Sequence, residues 1–389
     1  MSASYFTYFL LFGLILPFLS PVLIHQGYTK TETGMILSLF YFFSAVIPIL
    51  GARLSDRFLS ADRLMKFCAW TLVLVTAPLW YFSREPSWLY LLFFGIMGAA
   101  RSPVVSLQDT LAMQVSKNDP RLFARRRLVG SIGFIVAAVL GGWAMDHYGL
   151  ESFYPLLMLT TVMFALSTIT LPTEQKADSR HPRAQFWQRL TPGFWLWIAA
   201  MSAHWLAFAP FHYGFSLFLE EVHIAPTLIG WYWSFGVIAE IVAFFTAGWF
   251  FRRWSYRHVL FMALGANLVR WLLIGIFDDP WLIAATQALH GIGFALYYSA
   301  AMQALAAFAG DHDRASFQGL FSSVVGGGAS IIGNTLSGWI HEMSSMQMLF
   351  LIAVPLQALS IMLLWINPLN PSRDEDPSAD AILPETQGS

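Results

Sequence analysis

Long apolar runs alternate with short polar breaks along the whole chain. Twelve stretches of mostly apolar residues are separated by charged residues or by Pro and Gly. A helix of about 20 apolar residues matches the hydrocarbon core of a bilayer, so each run predicts one membrane-spanning helix. The predicted spans are residues 4–25, 33–54, 64–82, 88–111, 128–145, 153–171, 194–219, 228–251, 258–277, 281–308, 317–340 and 346–366.

The spacing of the spans predicts two halves of six helices each. Residues 1–172 hold the first six spans and residues 193–366 hold the other six, and the polar residues 173–192 join them as a cytoplasmic linker. Residues 367–389 are rich in acids, Pro and Ser, so we expect a disordered cytoplasmic tail. The fold class predicted is an all-α polytopic membrane protein, of the kind that secondary transporters build from repeated halves.

The composition excludes several classes of protein. Of the 389 residues, 57% are apolar and 12% charged, against roughly 45–50% and about 25% in soluble domains. The net charge of −1 provides no basic field for nucleic acid. The single cysteine, Cys68, cannot form an internal disulfide, and no metal triad, Ser/His dyad or phosphate loop lies on facing spans. We therefore expect neither enzymatic activity nor a metal or other cofactor.

Basic residues indicate the orientation in the membrane. With the amino terminus inside, 18 of the 22 Lys and Arg residues fall on the inner side, and Lys30 and Arg84 fall outside. Because Lys and Arg near spans remain cytoplasmic, both termini are predicted to be cytoplasmic in a bacterial inner membrane. We expect no cleaved signal peptide, because cleavage would remove the first span.

Ionisable side chains occur inside the predicted spans, where a charge costs at least about 2.5–3.5 kcal/mol. Arg101 and Asp109 lie in the fourth span, Glu240 in the eighth, Arg270 in the ninth and His290 in the tenth. The last three lie at similar depths, so they can meet. They can form a structural ion pair with a hydrogen-bonding His, or a proton relay in which Glu and His change charge beside a permanently charged Arg.

Two loops resemble a signature of the major facilitator superfamily. Residues 52–57 read ARLSDR after the second span, and residues 248–253 read GWFFRR after the eighth. The family pattern is Gly-x-x-x-Asp-Arg between the second and third helices. The first loop has Ala52 in place of the Gly, and the second lacks the acid. The resemblance implies that Asp56 and Arg57 belong to a gating loop.

The second half resembles the lactose permease branch of this superfamily. Residues 231–240, 269–271 and 287–291 are similar to its eighth, ninth and tenth helices, where the matching Glu, Arg and His serve proton coupling and substrate binding. Residues 5–18 and 213–216 are more similar to the bacterial phenylpropionate permease group. The resemblance implies that Glu240, Arg270 and His290 couple protons to transport.

Departures from the lactose permease pattern matter for this implication. That family has a Lys three residues before the tenth-helix His and an acid three residues after it, where this chain has Gln287 and Gly293. The seventh span holds no acid, so Glu240 is the only membrane-embedded acid of the second half. If protons are coupled to transport, Glu240 must have a larger part in proton binding than its counterpart in that family.

The first half offers candidate substrate-binding residues. By the resemblance, Arg127 matches a sugar-binding Arg, whereas Ser106 stands at the position of a Glu and Phe134 at that of a Trp, which disfavours a polar sugar. Asp109 matches an Asp of the phenylpropionate permease group, or it pairs with one of the arginines at 125–127. Arg101 is a candidate anion site or a partner of Asp109.

Aromatic residues within the spans can stack on a ring-bearing solute. The candidates are Tyr8, Phe134, Trp271 and Tyr297. His204 and His212 in the seventh span are expected to be hydrogen-bonded packing groups rather than functional ones.

Together these features predict a secondary active transporter, monomeric and driven by the proton gradient. It would carry a small aromatic or carboxylated solute by proton symport through alternating access. Efflux of a metabolite or drug and symport of a sugar or nucleoside remain alternatives on the same fold. A sensor or scaffold that does not transport would not need buried Glu, Arg and His.

Overall fold

The computed structural model describes residues 1–57, 60–84, 86–117, 119–173, 190–309 and 314–367, which are almost entirely helical. The helices are α1 Ser2–His25, α2 Lys30–Arg57, α3 Ala61–Tyr81, α4 Trp88–Arg101, α5 Val104–Val115, α6 Pro120–Tyr148, α7 Phe153–Ile169, α8 Pro192–Glu221, α9 Pro226–Phe251, α10 Tyr256–Ile276, α11 Pro280–Ala309, α12 Arg314–Phe321, α13 Ala329–Met343 and α14 Met346–Ile366. A π-helical stretch, Ser322–Gly328, joins α12 to α13.

Each of the twelve predicted spans coincides with helical structure. Within the described residues, ten helical segments are long and apolar enough to cross a membrane. The two other predicted spans fall in α2 and in the segment from α12 through α13. The predicted all-α fold is confirmed. The division into two six-helix halves stays a prediction, and most of its linker and all of its tail after residue 367 lie outside the described residues.

Two spans depart from the single straight helix that was predicted. The fourth is divided into α4 and α5 at Ser102 and Pro103, because Pro lacks an N–H group and its ring clashes with the preceding turn. The eleventh widens into a π-helix over Ser322–Gly328. This stretch ends in three glycines, whose weak helical preference makes a non-standard turn less costly.

Polar residues at the helix starts explain several boundaries. The Ser87 side chain accepts a hydrogen bond from the Leu89 amide at the start of α4, and Asp119 caps α6 by accepting from the Arg121 amide at 2.8 Å. Thr191 and Ser345 cap α8 and α14 in the same way. These caps satisfy amides that have no partner inside the helix, so the boundaries follow from local sequence.

The first and second predicted halves contact each other at the predicted outer end, where α1 turns into α2. Here α2 packs against α13 and α6 packs against α9. The approach is close because a glycine lies at the contact: a Cβ on Gly230 of α9 would overlap the backbone carbonyl of Ala138 in α6. Phe134 of α6 and Trp233 of α9 continue this contact inward.

A group of polar side chains joins α2 to α8 and α13 at this end, and we call it the outer latch. The Tyr213 hydroxyl lies 3.0 Å from His341 Nδ1 and 3.2 Å from the Lys30 carbonyl. His341 Nε2 lies 2.9 Å from Glu221 Oε1, and Lys30 Nζ donates to the His341 carbonyl at 3.3 Å. The sequence does not predict these contacts, because they join segments more than 100 residues apart.

Side chains nearer the predicted inner end are more exposed. There α5 packs against α3 and α6, and α12 packs against α11. The side chain of Arg127 on α6 is 44% exposed and that of Asp109 on α5 is 29% exposed. The predicted halves are thus joined at the predicted outer end, while this pair near the predicted inner end is partly exposed; with the predicted orientation, this arrangement is inward-facing.

Replacing Gly230 by Ala should separate the halves at the outer end, because the new methyl would meet a backbone carbonyl that cannot rotate away. Spin labels at Arg84→Cys and Asp278→Cys, in a Cys68→Ala background, report the distance between outer loops of the two halves. We expect this distance to increase. Gly265→Ala is the matched control, since nothing lies within 4 Å of its added methyl. Equal distances in the two variants would contradict the closed outer end.

Candidate functional site

Three ionisable residues predicted from the sequence meet between α9, α10 and α11. His290 Nε2 lies 2.7 Å from Glu240 Oε1, and Arg270 Nη1 lies 3.2 Å from His290 Nδ1. The Glu240 side chain is 21% exposed and that of His290 is 7% exposed, whereas Arg270 is fully buried. The three form a line from a buried cation to a partly accessible carboxylate, and we call it the Glu240 line.

The donors and acceptors in this line fix the form of His290. Arginine nitrogens can only donate, so Arg270 Nη1 donates to His290 Nδ1, which must carry a lone pair. The imidazole proton therefore lies on Nε2, which donates to Glu240 Oε1. A protonated Glu240 could not donate to Nε2 in this arrangement. The geometry corresponds to a neutral His290 whose Nε2–H donates to Glu240 Oε1, and it is compatible with a proton on the other carboxyl oxygen.

The burial of Arg270 is compensated by polar and aromatic contacts. Its Nη2 donates to Gln287 Oε1 at 3.2 Å, and Gln287 is held by its own bond to the Ile283 carbonyl. The guanidinium carbon lies 4.2 Å from the ring centre of Phe211 and 4.7 Å from that of Trp271. Charge-assisted hydrogen bonds and aromatic faces are the contacts that make a buried guanidinium tolerable.

A second polar group lies in the first half, on α1, α5 and α6. Arg127 Nη1 lies 3.2 Å from Asp109 Oδ2, and the Tyr5 hydroxyl donates to Asp109 Oδ1 at 2.5 Å. The structure thus selects Arg127 among the arginines at 125–127 as the partner of Asp109. Tyr5 was missed by the sequence analysis, which considered charged partners only.

Arg101 lies on a different helix, at the end of α4. Its guanidinium carbon is 3.7 Å from the ring centre of Phe40 and 4.9 Å from that of Phe12, and the residue is 7% exposed. The Tyr8 hydroxyl donates to the Arg101 carbonyl at 3.5 Å. Arg101 and Tyr8 therefore belong to one cluster, whereas the hydrogen bonds of Asp109 run to Tyr5 and Arg127.

The aromatic candidates are packed between helices. Tyr8, Trp271 and Tyr297 are at most 1% exposed and Phe134 is 5% exposed. Trp271 stacks on Phe350, with 5.9 Å between the ring centres. Their predicted part in substrate binding stays a prediction.

A chain of aromatic contacts joins the two halves near the site. The ring of Phe134 lies 6.5 Å from that of Trp233, which lies 4.8 Å from that of Phe211. Phe211 in turn lies 4.9 Å from His290. The Glu240 line is therefore in continuous contact with α6 of the first half.

For two groups of predictions, the gating loop and the absence of a metal, the described residues provide little information. The side chains of Asp56 and Arg57, the predicted gating loop, lie outside the described residues, although the backbone of α2 runs on to Arg57. Across the described ranges, no group of three His, Cys, Asp or Glu side chains could hold a metal ion.

Comparison with known proteins shows which family has this architecture. The chain matches the model of the MFS_1 like family over residues 1–352. It is 29% identical over 360 residues to the protein named Probable 3-phenylpropionic acid transporter of Escherichia coli strain K12, covering 88% of this chain and 90% of that one. It is 24% identical to the Maltose permease of Geobacillus stearothermophilus, covering 86% of this chain and 83% of the permease.

Solved structures share the fold. The nucleoside transporter NupG superposes with a TM-score of 0.78 at 20% identity, covering 94% of this chain and 97% of the other. The human organic anion transporter MFSD10 superposes with a TM-score of 0.66 at 17% identity, covering 93% and 97%. At these identities the likeness concerns the fold.

The fold and the family define a multi-pass membrane transporter that works by alternating access, not an enzyme. The chain belongs to the MFS_1 like family, within the major facilitator superfamily that its loops and second half resemble.

Proposed function

We propose that this transporter is a proton-coupled symporter of small aromatic or carboxylated solutes, with Glu240 as the proton-binding group. The observation that carries the proposal is the Glu240 line, in which a carboxylate faces a fixed Nε2–H donor and a buried cation lies behind it. Coupling needs a group in the transport path that alternates between charged and neutral forms, and Arg270 cannot do so.

The hydrogen bonds favour Glu240 over His290 as that group. Both nitrogens of His290 are engaged, so this residue cannot take a second proton without losing its bond to Arg270. Glu240 can take a proton on its other carboxylate oxygen and is partly accessible. Burial favours the neutral form of this carboxyl, whereas Arg270 and the Nε2–H of His290 favour the ionised form, so the two forms can alternate.

An anionic carboxylate is the substrate class that the first half fits best. Arg101 lies between aromatic rings, and Arg127 is partly accessible beside Asp109. A carboxylate can form charge-assisted hydrogen bonds with a guanidinium while its ring contacts aromatic side chains. The relative named for 3-phenylpropionic acid supports this class.

Transport of a sugar or nucleoside is the second candidate. It is supported by the relative named Maltose permease and by the fold shared with NupG. One observation disfavours it. Ser106 stands where the lactose permease branch has a Glu, and hydroxyl-rich solutes need many paired hydrogen bonds. Efflux is distinguished by the direction of proton-driven movement.

We also propose a monomer in a bacterial inner membrane with both termini cytoplasmic. Of the basic residues, 18 of 22 support this orientation. An impermeant thiol reagent should label Arg84→Cys in intact cells and spare Arg121→Cys, both in a Cys68→Ala background; the reverse pattern would invert the orientation.

Glu240→Gln should abolish accumulation driven by a pH gradient in proteoliposomes and leave substrate exchange intact. The Gln side chain keeps the volume and mimics the protonated carboxyl but cannot release a proton. Glu151→Gln, an exposed acid outside the spans, is the control and should behave as the unchanged protein. A Glu240→Gln variant that still concentrates substrate with the same pH dependence would transfer the role to another residue.

Aryl carboxylates should inhibit uptake at lower concentrations than neutral solutes of similar size. Competition of 3-phenylpropionate, its neutral amide, a nucleoside and a disaccharide against one labelled solute provides the comparison. Binding of the amide as tightly as the acid would exclude a role for carboxylate charge. Preference for the nucleoside or disaccharide would favour the second candidate.

A further inference from the structure

Four buried polar side chains surround one region between α8, α10 and α11, which we call the polar pocket. They are His204, Asn267, Trp271 and Tyr297, and each is at most 1% exposed. In the described part of the chain, His204 Nε2, both amide atoms of Asn267, Trp271 Nε1 and the Tyr297 hydroxyl have no hydrogen-bond partner. This concentration of unpaired atoms in one region requires an explanation.

His204 and Tyr297 are in direct ring contact, Trp271 is connected to His204 through Phe208, and Asn267 lies beside Gly293. The ring centres of His204 and Tyr297 are 4.2 Å apart, and Phe208 touches both His204 and Trp271, at 5.7 and 5.3 Å. A Cβ on Gly293, one turn from Tyr297, would overlap the amide of Asn267. The missing side chain at Gly293 therefore leaves the space that the Asn267 amide occupies.

Unpaired polar atoms in an apolar interior are costly, so polar partners are expected for these five. Buried polar regions of proteins are satisfied by internal water, which can both donate and accept. The polar pocket offers His204 Nε2 and Asn267 Oδ1 as acceptors and Trp271 Nε1 and Asn267 Nδ2 as donors. This mixed set fits water.

The tautomer of His204 is fixed by its neighbour on α14. Gln357 Nε2 donates to the Leu264 carbonyl at 3.1 Å, so Gln357 Oε1 is the atom that faces His204 Nδ1, at 2.9 Å. An amide oxygen can only accept, so the proton of His204 lies on Nδ1. His204 Nε2 is therefore a basic lone pair without a protein partner.

This makes His204 the opposite of His290. Both nitrogens of His290 are engaged, by Arg270 and Glu240, whereas Nε2 of His204 can accept a proton without breaking a hydrogen bond. Phe208 also touches His290, at 5.6 Å, so the polar pocket adjoins the Glu240 line. His204 lies 12 residues from the start of α8 at Pro192, and His290 lies 19 residues from the end of α11 at Ala309, which places His204 nearer the inner end.

We propose that His204 is a second proton-binding site, reached through water in the polar pocket. The inference rests on the proposed function. A proton that leaves the Glu240 carboxyl is passed by water to the Nε2 lone pair of His204, and Nε2 then releases it toward the inner side, which restores the neutral imidazole.

The surroundings of His204 favour a short lifetime of its protonated form. The titratable group that faces it is Tyr297, from α11; α14 presents Gln357, and α10 presents the carbonyl that holds Gln357. An imidazolium among neutral groups is costly, so the oxygens of Tyr297 and Asn267, with water, must stabilise it while it lasts. Such a group passes protons on rather than storing them.

His204→Asn is the sharpest test, because the Asn amide can replace Nδ1–H as donor to Gln357 but has no basic lone pair. We expect loss of pH-driven accumulation, with substrate exchange retained. His212→Asn, on the same helix, is the matched control and should accumulate substrate as the unchanged protein does. Normal accumulation and pH profile in His204→Asn would overturn the proposal.

Asn267→Leu provides an independent test if His204→Asn fails to fold. The Leu side chain removes the amide and dries the pocket. A pocket that conducts protons predicts lost pH-driven accumulation in a protein whose melting temperature is not lowered. Unchanged accumulation would show that the unpaired groups serve only in packing and do not conduct protons. If Glu240→Gln abolishes coupling while His204→Asn and Asn267→Leu do not, the inference about His204 fails and the proposed function stands.

Discussion

The buried positive charge of Arg270 is the constraint on which this site depends. A guanidinium cannot lose its proton, so the protein must supply acceptors for it inside the membrane-spanning bundle. Gln287 and His290 are those acceptors, and the bond to His290 forces the imidazole proton onto the side that faces Glu240. One permanent charge thereby sets the tautomer of a neighbour and places an N–H donor against a carboxyl beyond it.

The polar groups of the site are related to the way the predicted halves contact each other. The outer latch and the glycine contacts join the halves at the predicted outer end, while the side chains of Glu240, Asp109 and Arg127 are partly exposed. The aromatic contacts from Phe211 through Trp233 to Phe134 provide physical continuity between the carboxylate and the first half.

The fold was predictable because the bilayer imposes a length of about 20 apolar residues on every span. The meeting of Glu240, Arg270 and His290 was predictable because embedded charges need partners and these lie at one depth. The division of the fourth span and the π-helical stretch have local causes, in Pro103 and in the glycines, that span length alone does not reveal. The partners Tyr5 and Gln287 depend on packing between helices. The tautomers of His204 and His290 depend on hydrogen-bond directions, which a sequence does not contain.

The most direct test of the account is an infrared titration of the purified protein in lipid, following the C=O stretching band of protonated carboxylic acids. We expect one component of the band that appears as the pH is lowered to be missing from Glu240→Gln and kept in Glu151→Gln. A band that persists unchanged in Glu240→Gln would show that another carboxyl binds the proton, and it would contradict the assignment of Glu240 as the coupling group.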